Sequence, residues 1–222
     1  ITSYRNSKNY SSNWISAGYA LWFIREARYL NNPRFLLNTS CAISGTGFLV
    51  HKDIIKKQNG WKHFLLTEDI EFTVDNVIQH EKVAYCHDAM LYDEQPTSFR
   101  QSWRQRLRWS KGFLQVIGHY GTGLIKGIFL HKSFSAFDML MTISPAFFIT
   151  VTNFFINFGT LLYSLIFNDG NALRVLAGMA GAFCGAYFLL LVVGLITLVG
   201  EWNQIHCPTA KKILYSFTFP LF

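Results

Sequence analysis

Two long apolar segments dominate the second half of the chain. Residues 139–167 form a Phe-rich run without a charged side chain, and residues 175–200 form another, separated from the first by the turn-like stretch 168–171. About 20 apolar residues carry a helix across the roughly 30 Å hydrocarbon core of a bilayer. The pattern therefore predicts a transmembrane hairpin. A third apolar run begins at Ile213 and continues to Phe222, which predicts a further, truncated span.

The first half shows mixed helix and strand patterns. Residues 13–30 are rich in aromatic and aliphatic side chains and contain no Gly or Pro after Gly18, which predicts a helix. Short apolar stretches at 47–50 and 83–85 predict buried strands. Apolar residues recur at helical spacing after Thr67, a good N-cap residue type, so a second helix is expected there.

The ends of the chain and its cysteines add two expectations. The opening residues are polar and give no sign of a strand, a signal peptide or an initiator Met, so we expect a fragment that lacks its N-terminal portion. The apolar run at the other end leads us to expect a cut there as well. Four cysteines without the short paired spacing of zinc or redox sites indicate a reducing compartment.

Charge separates the two halves of the chain. Seventeen of the 20 Lys and Arg residues and ten of the 13 acidic residues lie before residue 133, so the formal net charge of +7 belongs to the first half. A basic region of this kind suits nucleic acid, phospholipid headgroups or nucleotide diphosphates, and charge alone does not choose among them. The positive-inside rule predicts that the basic half lies in the cytoplasm.

Two adjacent carboxylates follow Thr67 at the start of the second predicted helix. The apolar stretch 64–66 would bring Glu68 and Asp69 out of a core. A carboxylate there can act as a general base, which glycosyl transfer to a hydroxyl requires. The same two residues can instead simply complement the positive end of the helix dipole. The sequence alone leaves both interpretations open.

A cluster of basic and aromatic residues covers residues 100–111, with the sequence RQSWRQRLRWSK. Arg100, Arg104, Arg108 and Lys111 fall on one stripe of a helix, with Gln105 and Trp109 one turn apart beside them. Guanidinium groups suit a diphosphate, and an indole face suits a sugar ring. Alternatively, a basic helix with interfacial Trp residues binds lipid headgroups.

Taken together, the two motifs resemble those of a known enzyme family. Thr67-Glu68-Asp69 followed by Gln105-Arg106-Leu107-Arg108-Trp109 resembles the T-E-D and Q-x-x-R-W pair of the processive family 2 glycosyltransferases. This group includes the cellulose, hyaluronan, chitin and poly-N-acetylglucosamine synthases. The order and separation of the motifs, residues 45–47 before them, residues 94–97 between them and the apolar hairpin after them support the resemblance over essentially the whole chain.

The resemblance implies a role for each residue of the motifs. Asp69 would be the general base on the acceptor hydroxyl, and Glu68 and Thr67 would shape the site around it. Arg108 would contact the nucleotide diphosphate with help from Arg106. Gln105 would orient the helix, and Trp109 would stack on the acceptor sugar. The loop formed by Gly45, Thr46 and Gly47 would pass below the acceptor glycan.

One feature of the family is missing from the sequence. The family binds its nucleotide and a divalent metal through aspartates that include a D-x-D motif, and this chain contains no D-x-D. The resemblance therefore implies a Mg or Mn ion in the full-length protein, with ligands that this fragment lacks. Residues 1–40 resemble the stretch that follows D-x-D in the family, and we expect the 222 residues alone to be inactive.

The expected architecture has three parts. Residues 1–97 would form the second half of a GT-A-like α/β catalytic domain in the cytoplasm, residues 98–138 amphipathic interface helices, and residues 139–222 an all-α transmembrane region in the plasma membrane of a bacterium. The expected partners are a nucleotide-sugar donor, a glycan acceptor and the lipid bilayer, without nucleic acid. The oligomeric state stays open.

The expected reaction is inverting transfer to a growing, β-linked polysaccharide. Two main alternatives remain besides a weaker third one, namely an enzyme that adds a single sugar to a lipid carrier and a membrane-anchored binding protein without catalysis. Product length separates the first alternative from a polymerase, and the response to Asp69→Asn separates the second. A transporter subunit is a weaker alternative, because a large basic domain is more than a simple pore requires.

Overall fold

The computed structural model describes residues 1–167 and 171–221. A first group of elements builds a small α/β unit: β1 (Thr2–Ser7), α1 (Trp14–Arg25), a π-helical segment (Glu26–Asn31), α2 (Asn32–Leu36), α3 (Lys52–Lys57), α4 (Glu68–Ile78) and β2 (Tyr85–Asp93). A second group is helical: α5 (Phe99–His131), α6 (Phe134–Ile143), α7 (Pro145–Phe167), α8 (Ala172–Gly200) and α9 (Thr209–Ser216). Short 3₁₀ turns follow α8 and α9 at Trp202–Gln204 and Phe219–Leu221.

The chain begins with a strand, contrary to the expectation from its polar opening. β1 pairs in parallel with β2, with Thr2 opposite Tyr85 and Ser7 opposite Asp93. Its buried face carries two polar residues, Thr2 and Asn6, so the usual alternation of apolar and polar residues is hidden. Burial of Asn6 is tolerated because its side-chain amide donates a hydrogen bond to the Gln204 carbonyl, at 2.8 Å.

The other two predicted strands are only partly present. The stretch predicted at 83–85 becomes β2, which begins at Tyr85 and continues to Asp93. In the stretch predicted at 47–50, Phe48 makes an isolated antiparallel bridge to Thr2, and no strand forms in residues 47–50. Gly47 has a positive φ of 64°, which interrupts an extended conformation at this point.

The first predicted helix starts where expected and runs further. Asn13 caps α1 by accepting hydrogen bonds from the Ile15 and Ser16 backbone amides, and Ser16 returns a capping-box contact. The helix then continues without a break through the π-helical segment into α2, beyond the predicted end at residue 30. Pro33 does not stop it, since proline is tolerated in the first turn of the new helical segment.

Two apolar clusters hold the elements together. The first packs α1 against β1, β2 and the end of α8, with Tyr4, Leu21 and Leu198 almost fully buried. The second joins α4, α5 and α6, and contains Val74 and Met139. Each fully buried side chain of this size contributes about 1.5–3 kcal/mol. The two clusters fix α4 and α5 relative to the sheet, which sets the position of both sequence motifs.

The first predicted membrane segment divides into two helices. Residues 139–143 belong to α6, which packs on α5, and α7 begins after Ser144. Met139 is buried in this contact, so the span predicted from residue 139 begins too early. By length and composition, Phe148–Phe167 and Ala172–Gly200 could cross a membrane, with only 6% and 22% of their most apolar stretches buried against the protein.

The predicted turn between the two spans lies mostly outside the described residues, and the predicted third span does not form one long helix. Residues 168–170 of the predicted turn lie outside the described part of the chain, and Asn171 directly precedes α8. The apolar run from Ile213 forms the last part of α9 and a 3₁₀ turn rather than one long helix. Phe219 of that turn is buried against Gly194 of α8, which returns the chain to the α1 and α8 cluster.

Candidate active site

A pocket of about 310 Å³ lies where β1, α1, α4 and α5 meet. Residues of both motifs and of the glycine loop before them line it, as the sequence predicted: Gly45, Thr46, Thr67, Glu68, Asp69, Gln105, Arg108 and Trp109. The two motifs are about 40 residues apart in the chain and belong to different helices. Their convergence on one pocket is the geometry that a shared substrate site requires.

Asp69 is held in a defined position in the first turn of α4. One carboxylate oxygen accepts a hydrogen bond from the Ile70 amide at 2.8 Å, and its backbone carbonyl accepts one from the Thr73 hydroxyl at 2.9 Å. That hydroxyl also accepts a hydrogen bond from the Ile43 amide, at 3.1 Å. The loop that carries Gly45 is therefore tied to the same helix as Asp69.

Burial changes the acidity of Asp69. Removal from water disfavours the charged form and, with a smaller contribution from the negative charge of Glu68, raises the pKa of Asp69 to about 6. The Ile70 amide and the more distant positive charge of Arg5 oppose this shift. Glu68 is exposed at the pocket mouth. The two adjacent carboxylates therefore differ in environment, and the raised pKa suits Asp69 to accept a proton near neutral pH.

Thr67 shapes the site by packing rather than by capping the helix. It occupies the N-cap position of α4, but its side chain makes no capping hydrogen bond. The side chain is buried against α5, so closely that a Cβ atom added to Gly112 would lie 2.5 Å from the Thr67 methyl carbon. The sequence interpretation of Thr67 as a side-chain cap is thus wrong, because the α4 and α5 contact uses the side chain instead.

Of the basic stripe on α5, only one residue lines the pocket. Arg108 lines the pocket, whereas Arg100, Arg104 and Lys111 are exposed outside it. Arg106 also lies outside the pocket wall and is half-buried; its positive charge lowers the pKa of the nearby Tyr19, against the larger opposite effect of burial. One arginine of the cluster therefore remains as the candidate for direct contact with a substrate in the pocket.

Trp109 is oriented by two aromatic side chains from α1. Its ring packs edge to face with Tyr19 and Phe23, at centroid distances of 5.8 and 6.1 Å. Such pairs favour a fixed ring orientation. Trp109 is half-buried and lines the pocket together with Gln105 of the preceding turn. The pocket therefore has a rigid indole wall.

The glycine loop contributes two residues to the pocket and one to the sheet. Gly45 has a φ of +83°, and a Cβ atom added to it would lie 3.4 Å from the carboxylate oxygen Oδ2 of Asp69. Gly47 lies outside the pocket wall, where a Cβ atom would approach Ser3 Oγ to 2.5 Å. Gly47 is thus placed for close packing on the sheet, and Gly45 for close approach to Asp69.

Sequence inspection missed Arg5 and Glu26, which also line the pocket. The Arg5 guanidinium donates to Asp93 at 2.9 Å through Nε and to the Ser44 carbonyl at 2.6 Å through Nη1. It also lies 3.5 Å from the centroid of the Phe23 ring. Neither residue belongs to a recognisable local motif, and only the pairing of β1 with β2 brings Arg5 to the site.

The described residues do not provide a site for a divalent metal. Across residues 1–167 and 171–221, no group of three or more His, Cys, Asp or Glu side chains is arranged to hold a metal ion. Mg and Mn require several oxygen ligands arranged around one point. We therefore assign the metal implied by the resemblance to no residue of this chain and derive no step of the reaction from it.

Carboxylates on one side of the pocket, with an arginine and an indole beside them, suit an enzyme that transfers a sugar from a phosphate leaving group. The sequence profile described as "Glycosyl transferase family group 2" matches residues 1–203, and the chain therefore belongs to this family. A distant relative supports the same class. The chain is 28% identical over 168 residues to the probable glycosyltransferase YdaM of Bacillus subtilis (strain 168).

The match with YdaM covers 74% of this chain and 38% of the relative, so the chain spans well under half of that protein's length. No solved structure matches the chain significantly. Family membership thus rests on the sequence comparisons, while the arrangement of the pocket comes from the structure itself.

Proposed function

We propose that this chain supplies the general base, the acceptor contacts and an arginine for the leaving group to the active site of a membrane-bound, inverting glycosyltransferase that extends a polysaccharide from a nucleotide sugar. The observation that carries the proposal is the meeting of Asp69, Arg108 and Trp109 at one pocket. The family supports a nucleotide-sugar donor and a glycan acceptor. The polymeric product, β-linkage and site roles are parts of the proposal.

Asp69 acts as the general base in this reaction. The acceptor hydroxyl loses its proton to the Asp69 carboxylate as its oxygen attacks the anomeric carbon of the donor sugar. The bond from that carbon to the diphosphate breaks on the opposite face, which inverts the configuration. A carboxylate with a pKa of about 6 is ionised at neutral pH and is still basic enough to take the proton.

Arg108 stabilises the charge that develops on the leaving diphosphate. Its guanidinium is permanently charged, and its planar donors match phosphate oxygens. It lies on the same helix and the same pocket wall as Trp109, whose ring stacks on the acceptor sugar. Gln105, one turn before Trp109, orients this part of α5. The acceptor, the base and the leaving group are thereby held together, which lowers the entropic part of the barrier.

The exposed apolar surfaces of α7 and α8 support a membrane location. The excess of basic residues lies before these helices, which supports an orientation with the pocket in the cytoplasm. α5, with its exposed Arg100 and Arg104 next to exposed Phe99 and Trp103, suits the membrane interface. An elongating glycan would then lie close to the helices through which it leaves.

The test is nucleotide diphosphate release in membranes that carry the full-length parent protein, with a panel of nucleotide sugars. We expect release with one donor, and a loss of about 10²–10⁴-fold in Asp69→Asn. Asp88→Asn, which changes an exposed carboxylate on β2, is the matched control and should keep the parent rate. Equal rates in the parent and Asp69→Asn would contradict the proposal.

Product length separates a polymerase from a single-addition enzyme. With the active donor in excess, a polymerase yields long chains, whereas an enzyme that modifies a lipid carrier yields one product of fixed mass. We expect long chains. A single lipid-linked product would leave the base and the arginine in the same roles but replace the proposed polysaccharide with a lipid acceptor.

A further inference from the structure

Glu26 lies in the pocket wall at an unusual point of the helix that carries it. It is the first residue of the π-helical segment that interrupts the path from α1 to α2. A π-helical turn is wider than an α-helical turn and changes the direction in which side chains leave the helix, and such turns are frequent at functional sites. Here the turn places a carboxylate in the same pocket as Asp69.

Two of the positively charged groups near Glu26 are paired with other carboxylates. Arg5 and Arg34 each form an ion pair with an aspartate, at 2.5 and 2.6 Å. The Arg25 guanidinium lies 4.3 Å from the centroid of the Trp22 ring. The Glu26 carboxylate is half-buried in the pocket wall, and burial is the largest influence on its acidity. Burial of a carboxylate is unfavourable, and a ligand that donates hydrogen bonds to it offsets the cost.

Burial raises the pKa of Glu26, and the negative charge of Asp69 raises it further, while the nearby arginines oppose both effects. The pocket also carries both signs of charge on different sides. Glu26, Glu68 and Asp69 form an acidic side, on which the charge of Arg5 is paired with Asp93, and Arg108 on α5 is basic. A diphosphate is repelled by the acidic side, whereas a neutral sugar is not. This side of the pocket suits the hydroxyl groups of an uncharged acceptor.

We propose that Glu26 is a positioning residue for the acceptor, whose terminal sugar donates hydrogen bonds from its hydroxyls to the Glu26 carboxylate so that the attacking hydroxyl faces Asp69. The aromatic rings of Trp22 and Trp109 in the same wall supply apolar surface for the sugar ring. The inference rests on the proposed function, because it needs an acceptor glycan in this pocket.

The first test is steady-state kinetics of Glu26→Gln in the full-length parent protein. The probes are short oligosaccharides built from the sugar that the parent transfers, varied at saturating donor. An amide keeps the shape of the side chain and loses the charge, so the KM for the oligosaccharide should rise about tenfold or more. The KM for the donor should stay within about threefold of the parent value, and kcat should fall, because the acceptor hydroxyl is no longer held facing Asp69. Glu26→Asp should bind the acceptor better than Glu26→Gln, because it keeps the charge.

A stability measurement separates positioning from a structural role. If Glu26 only supported the fold, Glu26→Gln would lower the unfolding temperature in detergent. We expect an equal or higher unfolding temperature, since a neutral amide is easier to bury than a carboxylate. The matched control is Glu81→Gln, which removes an exposed ion pair with Lys57 of 2.8 Å and should change neither KM value.

The possible failures are distinguishable. If the parent consumes no nucleotide sugar, the proposed function fails and the role of Glu26 fails with it. If the parent is active and Glu26→Gln keeps the parent KM for the oligosaccharide, only the assignment of Glu26 is overturned. A change confined to the KM for the donor, or a lowered unfolding temperature, also overturns it.

Discussion

The environment of Asp69 leads to a prediction about pH. The carboxylate must be ionised to accept a proton, and its pKa is raised to about 6 by burial. We expect kcat/KM to be constant above pH 7 and to fall about tenfold per pH unit below pH 6. Initial rates between pH 4.5 and 8 measure this limb. A rate that stays constant down to pH 4.5 would show that no group with this pKa controls the reaction.

The same shift has a consequence for stability. A carboxylate whose folded-state pKa lies above its value in the unfolded chain binds its proton more tightly when folded. Its contribution to stability is therefore greatest at low pH and is lost as the pH rises from about 4 through 6. Above that range Asp69→Asn should unfold at the same or a slightly higher temperature than the parent, which shows that lost turnover is not lost folding.

Site residues that belong to short sequence motifs could be predicted from the sequence. Site residues that are held in place by residues far away in the chain could not. Asp69 and Arg108 belong to short patterns whose residue types already indicate acid and phosphate chemistry. Arg5 reaches the pocket because Asp93 and Ser44, 88 and 39 residues away in the chain, fix its guanidinium. Contacts of that kind leave no local signal in a single sequence.

At the level of elements, the contact between α4 and α5 brings the two motifs together. A Cβ atom at Gly112 would lie 2.5 Å from the Thr67 side chain, so Gly112→Ala must push the start of α4 away from α5. We expect a loss of about 1–3 kcal/mol in the free energy of unfolding and a lower kcat with the same donor. Thermal unfolding in detergent and nucleotide diphosphate release measure the two effects.

The same helix offers a control for this substitution. Gly118 also lies on α5, and a Cβ atom there would meet nothing within 4 Å. Gly118→Ala should keep the parent activity and stabilise the helix by about 0.5–1 kcal/mol, because alanine restricts the unfolded chain and favours helix. Equal effects of the two substitutions would mean that the contact with Thr67 is not what holds α4 in place.

An element can be predicted from the sequence when the residues that it buries are apolar. α1 is rich in aromatic and aliphatic residues and α4 has apolar residues at helical spacing, and the sequence shows both patterns. β1 buries Thr2 and Asn6, which cannot be distinguished in the sequence from the residues of a polar loop. α6 and α7 are separated at Ser144 within one apolar run, because α6 packs against α5 while α7 does not share that contact.

At the level of the whole molecule, a hydrogen bond and an ion pair connect the end of α8 to the α/β unit. Glu201, buried directly after α8, accepts a hydrogen bond from the Tyr4 hydroxyl at 3.0 Å and pairs with Arg28 at 3.0 Å. Glu201→Ala should lower the free energy of unfolding by about 1.5–3 kcal/mol, the usual contribution of hydrogen bonds to a charged group. Thermal unfolding in detergent measures the loss, and Asp88→Asn again serves as the control. An unchanged unfolding temperature would mean that this junction does not stabilise the protein.

Neighbouring side chains on a strand point to opposite sides, so the adjacent residues Tyr4 and Arg5 of β1 face two different parts of the protein. Tyr4 holds the end of α8, and Arg5 holds the carbonyl of Ser44 beside the pocket. One residue step of backbone therefore joins a helix long and apolar enough to cross a membrane to the loop beside Asp69. A shift of the end of α8 would displace Tyr4 and, through the same strand, the contact between Arg5 and the loop that borders the pocket.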